Sequence, residues 1–128
     1  MRIDVAGTEV YAYTGSRPLD DTLPTVVFVH GAGNDHSVWA LQSRYFAFHG
    51  WNVLAVDLPG HDRSGGAALP SVEELAEWLP AVLDAAGIGK AALVGHSLGS
   101  LAVLECAARR PGRVARICLL YTSDAADE

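Results

Sequence analysis

Four apolar runs of strand length, separated by stretches of helical character, constrain this chain more than any other feature. Residues 25–29 read TVVFV, 51–56 WNVLAV, 90–95 KAALVG and 113–121 RVARICLLY. The first three are apolar on both faces, which suits central parallel strands covered by helices above and below. Between the runs lie three helical candidates. Asp35 or Ser37 can cap a helix over 37–49, whose apolar positions Val38, Trp39, Leu41, Tyr45, Phe46 and Phe48 lean to one side, with Gly50 as the stop. Ser71 and Glu74 have the S-x-x-E spacing of a capping box, and Val72, Leu75, Leu79, Val82, Leu83 and Ala86 recur at helical spacing up to Gly87. Pro80 in the middle removes a backbone donor, so a kink or a split is expected, at a cost of ~3 kcal/mol if nothing offsets it. Residues 98–110 are rich in Ala and Leu and end at Arg-Pro-Gly. Ahead of all this, residues 2–6 and 8–13 alternate apolar and polar around Gly7, the pattern of two short antiparallel strands. Strands alternating with helices imply right-handed crossovers. The expected fold is α/β, a doubly wound and mostly parallel sheet.

Bulk properties exclude several function classes. The 128 residues suffice for one domain. A net charge of −6 argues against a nucleic-acid partner, whose phosphates call for a basic patch. There is no polybasic run for an anionic membrane and no apolar run near the ~20 residues that span a bilayer. The opening MRIDVAGTEV has no apolar signal-peptide core. A cytoplasmic location and no membrane partner are therefore expected. Cys106 and Cys118 form no disulfide framework, and Cys106 reads as a small buried hydrophobe. The five histidines show no metal-ligand spacing, so no metal is expected. Neither a G-x-G-x-x-G nor a phosphate-cradling G-x-x-x-x-G-K-[ST] occurs, and no cofactor is expected.

The run at 90–95 leads directly into G-H-S-L-G, residues 95–99. A strand, G-x-S-x-G and then a helix make a nucleophile elbow. The turn must be tight, and side chains at Gly95 or Gly99 would crowd it. Ser97 is then held in strained backbone with its hydroxyl above the sheet. The following helix begins beneath it, favouring negative charge there, and the Leu98 N–H can face a developing oxyanion. In a chain with 13 glycines this motif alone is weak, because an idle serine on a Gly-rich turn also fits it. A second motif strengthens it. HGAG, residues 30–33, follows the run at 25–29; small residues there let the chain approach the elbow, and the Ala32 N–H can be the second oxyanion donor. His30, Gly31 and Gly33, with Gly95 and Gly99, are the expected supports. Asp57 ends its run at the same rim and reads as a loop cap or salt-bridge partner. His30 reads as a turn-packing histidine. His96, next to Ser97 in sequence, faces away across the elbow and is not expected to be its base. Trp39, Trp51 and Trp78 read as core or rim residues.

In order, VVFVHGAG, WNVLAVDLPGHDRS and LVGHSLGS resemble the first half of an α/β-hydrolase fold protein, over about residues 1–117. Asp62 stands where that family usually has glycine in D-x-P-G-x-G-x-S. The resemblance implies that Ser97 attacks a carbonyl of a small-molecule substrate, that the Ala32 and Leu98 N–H groups hold the oxyanion, and that water then attacks the acyl-enzyme. It implies an esterase-like acyl hydrolase; ester, lactone, amide, peptide and carbon–carbon hydrolysis and cofactor-free haloperoxidase chemistry all fit. An aspartate nucleophile is disfavoured because Ser97 fills the elbow. The family's acid and histidine follow its seventh and eighth strands, and no histidine here lies beyond His96, so the fold is expected to stop after about the sixth strand. Residues 118–128, CLLYTSDAADE, resemble a translation of a sequencing-library adapter, and native sequence is expected to end near Ile117. Near-background hydrolysis, poor solubility and an exposed apolar sixth strand follow from that expectation. A non-catalytic binding protein on the same fold, or an inactive gene fragment, is the alternative. Oligomeric state is not legible.

Overall fold

The computed structural model describes residues 1–120. Two short strands come first, β1 (Arg2–Val5) and β2 (Thr8–Tyr13), paired antiparallel. Ala6 and Gly7 both take positive φ, 52° and 85°, as a two-residue hairpin turn requires. Then follow β3 (Thr25–Val29), helix α1 (Ala40–Ala47), β4 (Asn52–Val56), α2 (Val72–Ala85), β5 (Ala91–His96), α3 (Leu98–Arg109) and β6 (Val114–Leu120). The six strands form one sheet in the order β1-β2-β4-β3-β5-β6, antiparallel across β1-β2 and β2-β4 and parallel elsewhere. This is the mostly parallel α/β arrangement expected from the sequence. Tyr121 and the rest of the CLLYTSDAADE tail lie outside the described residues; Cys118, Leu119 and Leu120 continue β6 against Val94, Gly95 and His96. Among the described residues no helix is long and apolar enough to cross a membrane.

Alternate strand residues feed two cores. Val27, Val29, Leu54, Val56 and Leu93 pack with Leu75, Leu79, Leu83, Ala102 and Val103 of α2 and α3. Val26, Phe28, Val53 and Ala55 pack on the other face with Trp39 and Ala47. The capping box forms: the Glu74 N–H donates to Ser71 Oγ at 3.1 Å. Pro80 does not split α2. It is buried between Leu79 and Val82 in the core, so tertiary packing offsets the missing backbone bond.

Three expectations need correction. The helix expected over 37–49 is a 3-10 turn, His36–Trp39, followed by α1, and Asp35 caps the turn by accepting from the Ser37 N–H at 2.8 Å. Its buried face is Trp39, Ser43 and Ala47, whereas Val38, Leu41, Tyr45 and Phe48 are exposed. Small residues let α1 lie close: a Cβ on Gly15 would stand 2.5 Å from both Ala47 Cβ and the Ser43 carbonyl oxygen. β5 is fully buried on one face only: Ala92 and Val94, on the other, are half-buried against the cluster of Phe28 and Trp39.

Candidate active site

Ser97 sits between the end of β5 and the start of α3, with φ 57° and ψ −119°. For a residue with a Cβ this is a strained conformation, worth about 1–3 kcal/mol, and its surroundings must hold it. A Cβ on Gly95 would lie 2.7 Å from Ser100 Cα and closer still to the Gly99 carbonyl. One on Gly99 would lie 2.8 Å from the His30 carbonyl oxygen and closer to that of Val29. Backbone thus meets backbone on both sides of the turn. The strained residue is gripped at both ends: its N–H donates to the Leu120 carbonyl at 3.2 Å, and its carbonyl accepts from the Ser100 N–H at 2.9 Å and the buried Ser100 hydroxyl at 2.6 Å. Ser97 is exposed, and its side chain does not cap the helix.

The loop after β3 comes to the same place. A Cβ on Gly31 would stand 3.1 Å from Ser97 Cβ and 3.4 Å from the His96 carbonyl oxygen, so any side chain there would push the elbow back by a few tenths of an ångström. Ala32 is exposed beside it, Gly33 has φ 78°, and Leu98 is the half-buried first residue of α3. His30 is fully buried. Its Nδ1 donates to the Gly31 carbonyl at 2.6 Å, and its Nε2 accepts from the Leu58 N–H at 3.0 Å. Burial is the main cause that pushes its pKa down; the Gly31 bond, Asp57 and Asp35 oppose, and His61 adds to the lowering.

Asp57, also fully buried, is the cap its position suggested. One carboxylate oxygen accepts from the His36 N–H at 2.7 Å and from His36 Nδ1 at 2.8 Å; the other accepts from the Arg63 N–H at 3.1 Å. His36 packs against Tyr11, ring centroids 4.9 Å apart. Asp62 takes φ 41°, a left-handed backbone that suits glycine and that aspartate tolerates, and its carboxylate comes within 3.7 Å of His36 Nδ1. Asp35, His36, Asp57 and Asp62 thus converge, but both Asp57 oxygens and an Asp35 oxygen already accept protein hydrogen bonds, so we assign no metal to them. His96 lies on the Trp39 side of the sheet, ring centroids 6.5 Å apart. Cys106 is buried, which raises its pKa and suits a packing role.

The sequence reading overlooked His36, His61 and Ser100. Each acts through hydrogen bonding, and the histidine partners lie 21 and 28 residues away, where no local spacing reveals them. A cleft of about 600 Å³ between Leu19, Asp20, Asn52 and Ile88 lies at the opposite rim, where the parallel strands begin.

A family model for the alpha/beta hydrolase fold matches residues 24–128. Over 96 residues the chain is 32% identical to (E)-2-((N-methylformamido)methylene)succinate hydrolase of Acinetobacter baylyi, covering 74% of this chain and 36% of that protein. Over 102 residues it is 33% identical to lipase LipV of Mycobacterium tuberculosis, covering 80% and 38%. The chain therefore spans little more than a third of the length of these relatives. It superposes on the predicted CIB-like hydrolase of Thermoplasma acidophilum with a TM-score of 0.85 at 24% identity, over 98% of this chain and 64% of that one. With the elbow, the glycine approach and the sheet order in agreement, the chain belongs to the alpha/beta hydrolase fold family.

Proposed function

We propose that this chain carries the nucleophile and oxyanion-binding half of a serine acyl hydrolase. One observation carries the reading: Ser97 is exposed at φ 57°, directly ahead of α3, with Gly31 pressed against it. Strain of this kind persists where the surroundings over-determine it, and it accumulates at reacting residues. In the reaction, Ser97 Oγ forms a bond to the substrate carbonyl carbon and its proton passes to a base. The carbonyl oxygen becomes an oxyanion, held by the Ala32 and Leu98 N–H groups, each worth about 3–4 kcal/mol. The leaving group departs with a proton, and water then hydrolyses the acyl-enzyme. The helix α3 dipole favours the negative charge. We assign the base and its orienting carboxylate to the part of the relatives' length that this chain does not span. The substrate is a small carbonyl compound; a lipase among the relatives favours an ester.

Incubation with a fluorophosphonate followed by peptide mass spectrometry tests the reading. The expected result is a slow adduct on Ser97 that Ser97→Ala abolishes. Labelling of other serines only would contradict it and favour a binding role.

A further inference from the structure

The loop that carries Ala32 (residues 30–36) and the loop after β4 (residues 57–66) are joined by two imidazoles used in mirror fashion. His30 belongs to the first loop and accepts, through Nε2, the Leu58 N–H of the second. His61 belongs to the second and accepts, through Nε2, the Gly33 N–H of the first at 3.2 Å. Each ring turns its Nδ1 to a carbonyl of its own loop, Gly31 at 2.6 Å and Pro59 at 3.1 Å. A carbonyl only accepts and a backbone N–H only donates. Both rings must therefore be neutral with the proton on Nδ1. The rings lie 5.1 Å apart.

These bonds bracket Ala32. The peptide that bears its N–H has its oxygen, that of Gly31, held by His30 Nδ1 and by the Asn34 N–H at 3.1 Å. In a trans peptide, fixing the oxygen fixes the opposed N–H. The next peptide, between Ala32 and Gly33, is held through its N–H by His61. We propose that His30 and His61 are a reciprocal pair of positioning residues that aim the Ala32 N–H, and that they do so only as neutral rings. What the aimed N–H is for rests on the acyl-hydrolase reading; the clasp itself does not.

Protonation would place an Nε2–H against the Leu58 or Gly33 N–H and break the link. Asp35 and Asp57 act on the His30 ring, His36 pairs with Asp57 and approaches Asp62, and Asp62 and Arg63 follow His61 in the chain, the Arg63 N–H bonding Asp57. Because burial lowers the His30 pKa, the unfolded chain takes up that proton first as pH falls. Stability is therefore lost on going down from about pH 6.5 through the folded value and is restored above it.

Two measurements on the 128-residue chain test this. Long-range ¹H–¹⁵N spectra should show both rings as neutral Nδ1–H tautomers at pH 7.5. Hydrogen exchange read by mass spectrometry, which tolerates micromolar protein, should show protection of segments 30–36 and 57–63 falling by up to about tenfold per pH unit below about pH 6.5 and levelling off below the folded His30 value. Segments 25–29 and 52–56 should hold. In His61→Gln the amide oxygen still accepts the Gly33 N–H, so acid loss at 30–36 should shrink while that at Leu58 remains. An Nε2–H tautomer on either ring, unchanged exchange as the rings charge, or a His61→Gln variant that titrates like the parent would overturn the proposal. Labelling of Ser97 alongside such a result would leave the acyl-hydrolase reading standing, and an intact clasp without labelling would remove that reading alone.

Discussion

The face of the sheet under α2 and α3 and the face under α1 bury very different amounts of side chain. On the first, strands and helices meet in one continuous core that reaches from Val5 to Cys106. On the second, Phe28, Trp39, Val53 and their few neighbours form a patch over β3 and β4, while Ala92 and Val94 of β5 stay half-buried. Exposed apolar residues occur on both sides: Val38, Leu41, Tyr45 and Phe48 around α1, Leu101 and Leu104 on α3, and Ile117 and Leu120 on β6. The site sits where both regimes meet. Its glycines answer to backbone contacts within the well-packed part, and its strained serine leans on β6 through the Leu120 carbonyl. A local motif can thus be fully formed on a sheet whose coverage is uneven.

The difference between the two faces should appear most strongly in the large core. Leu83→Ala, at a side chain 1% exposed, should cost about 2–5 kcal/mol in urea unfolding, whereas Leu41→Ala, at 79% exposure, should stay within about 0.5 kcal/mol. Equal effects would mean that the two faces are equally packed. Next comes Gly99→Ala, whose Cβ collides with the Val29 carbonyl; it should cost about 1–3 kcal/mol and abolish Ser97 labelling. Retained labelling would show that the elbow tolerates a side chain there. Ser71→Ala removes the α2 cap and should cost about 1 kcal/mol. The smallest thermodynamic effect, within about 0.5 kcal/mol, is expected for Ile117→Lys, yet centrifugation should show more soluble protein, because a charge on an exposed strand edge blocks edge pairing. An unchanged soluble fraction would shift the blame to the α1 stripe.

What the sequence made legible was what neighbours in the chain decide. TVVFV became β3 to the residue, and Ser71 with Glu74 formed the cap expected of them. GHSLG produced the strained turn because glycine spacing and the strand–helix junction are local facts. The α1 region was misread because two stripes compete there. Residues 38, 41, 45 and 48 form the more apolar one, but close packing of Gly15 selects the side with Ser43 and Ala47. That choice depends on a residue 28 positions away. The histidines were illegible for the same reason. His61 reaches Gly33, and His36 reaches Asp57, across loops that only the folded sheet brings together.

On the proposed reading, Ser97 and two backbone donors form one site. A crystal structure of the fluorophosphonate-treated chain tests it most directly. The expected result is a phosphorus atom bonded to Ser97 Oγ, with its oxygen about 3 Å from both the Ala32 and Leu98 nitrogens. An adduct whose oxygen points to solvent, with neither nitrogen in reach, would contradict it.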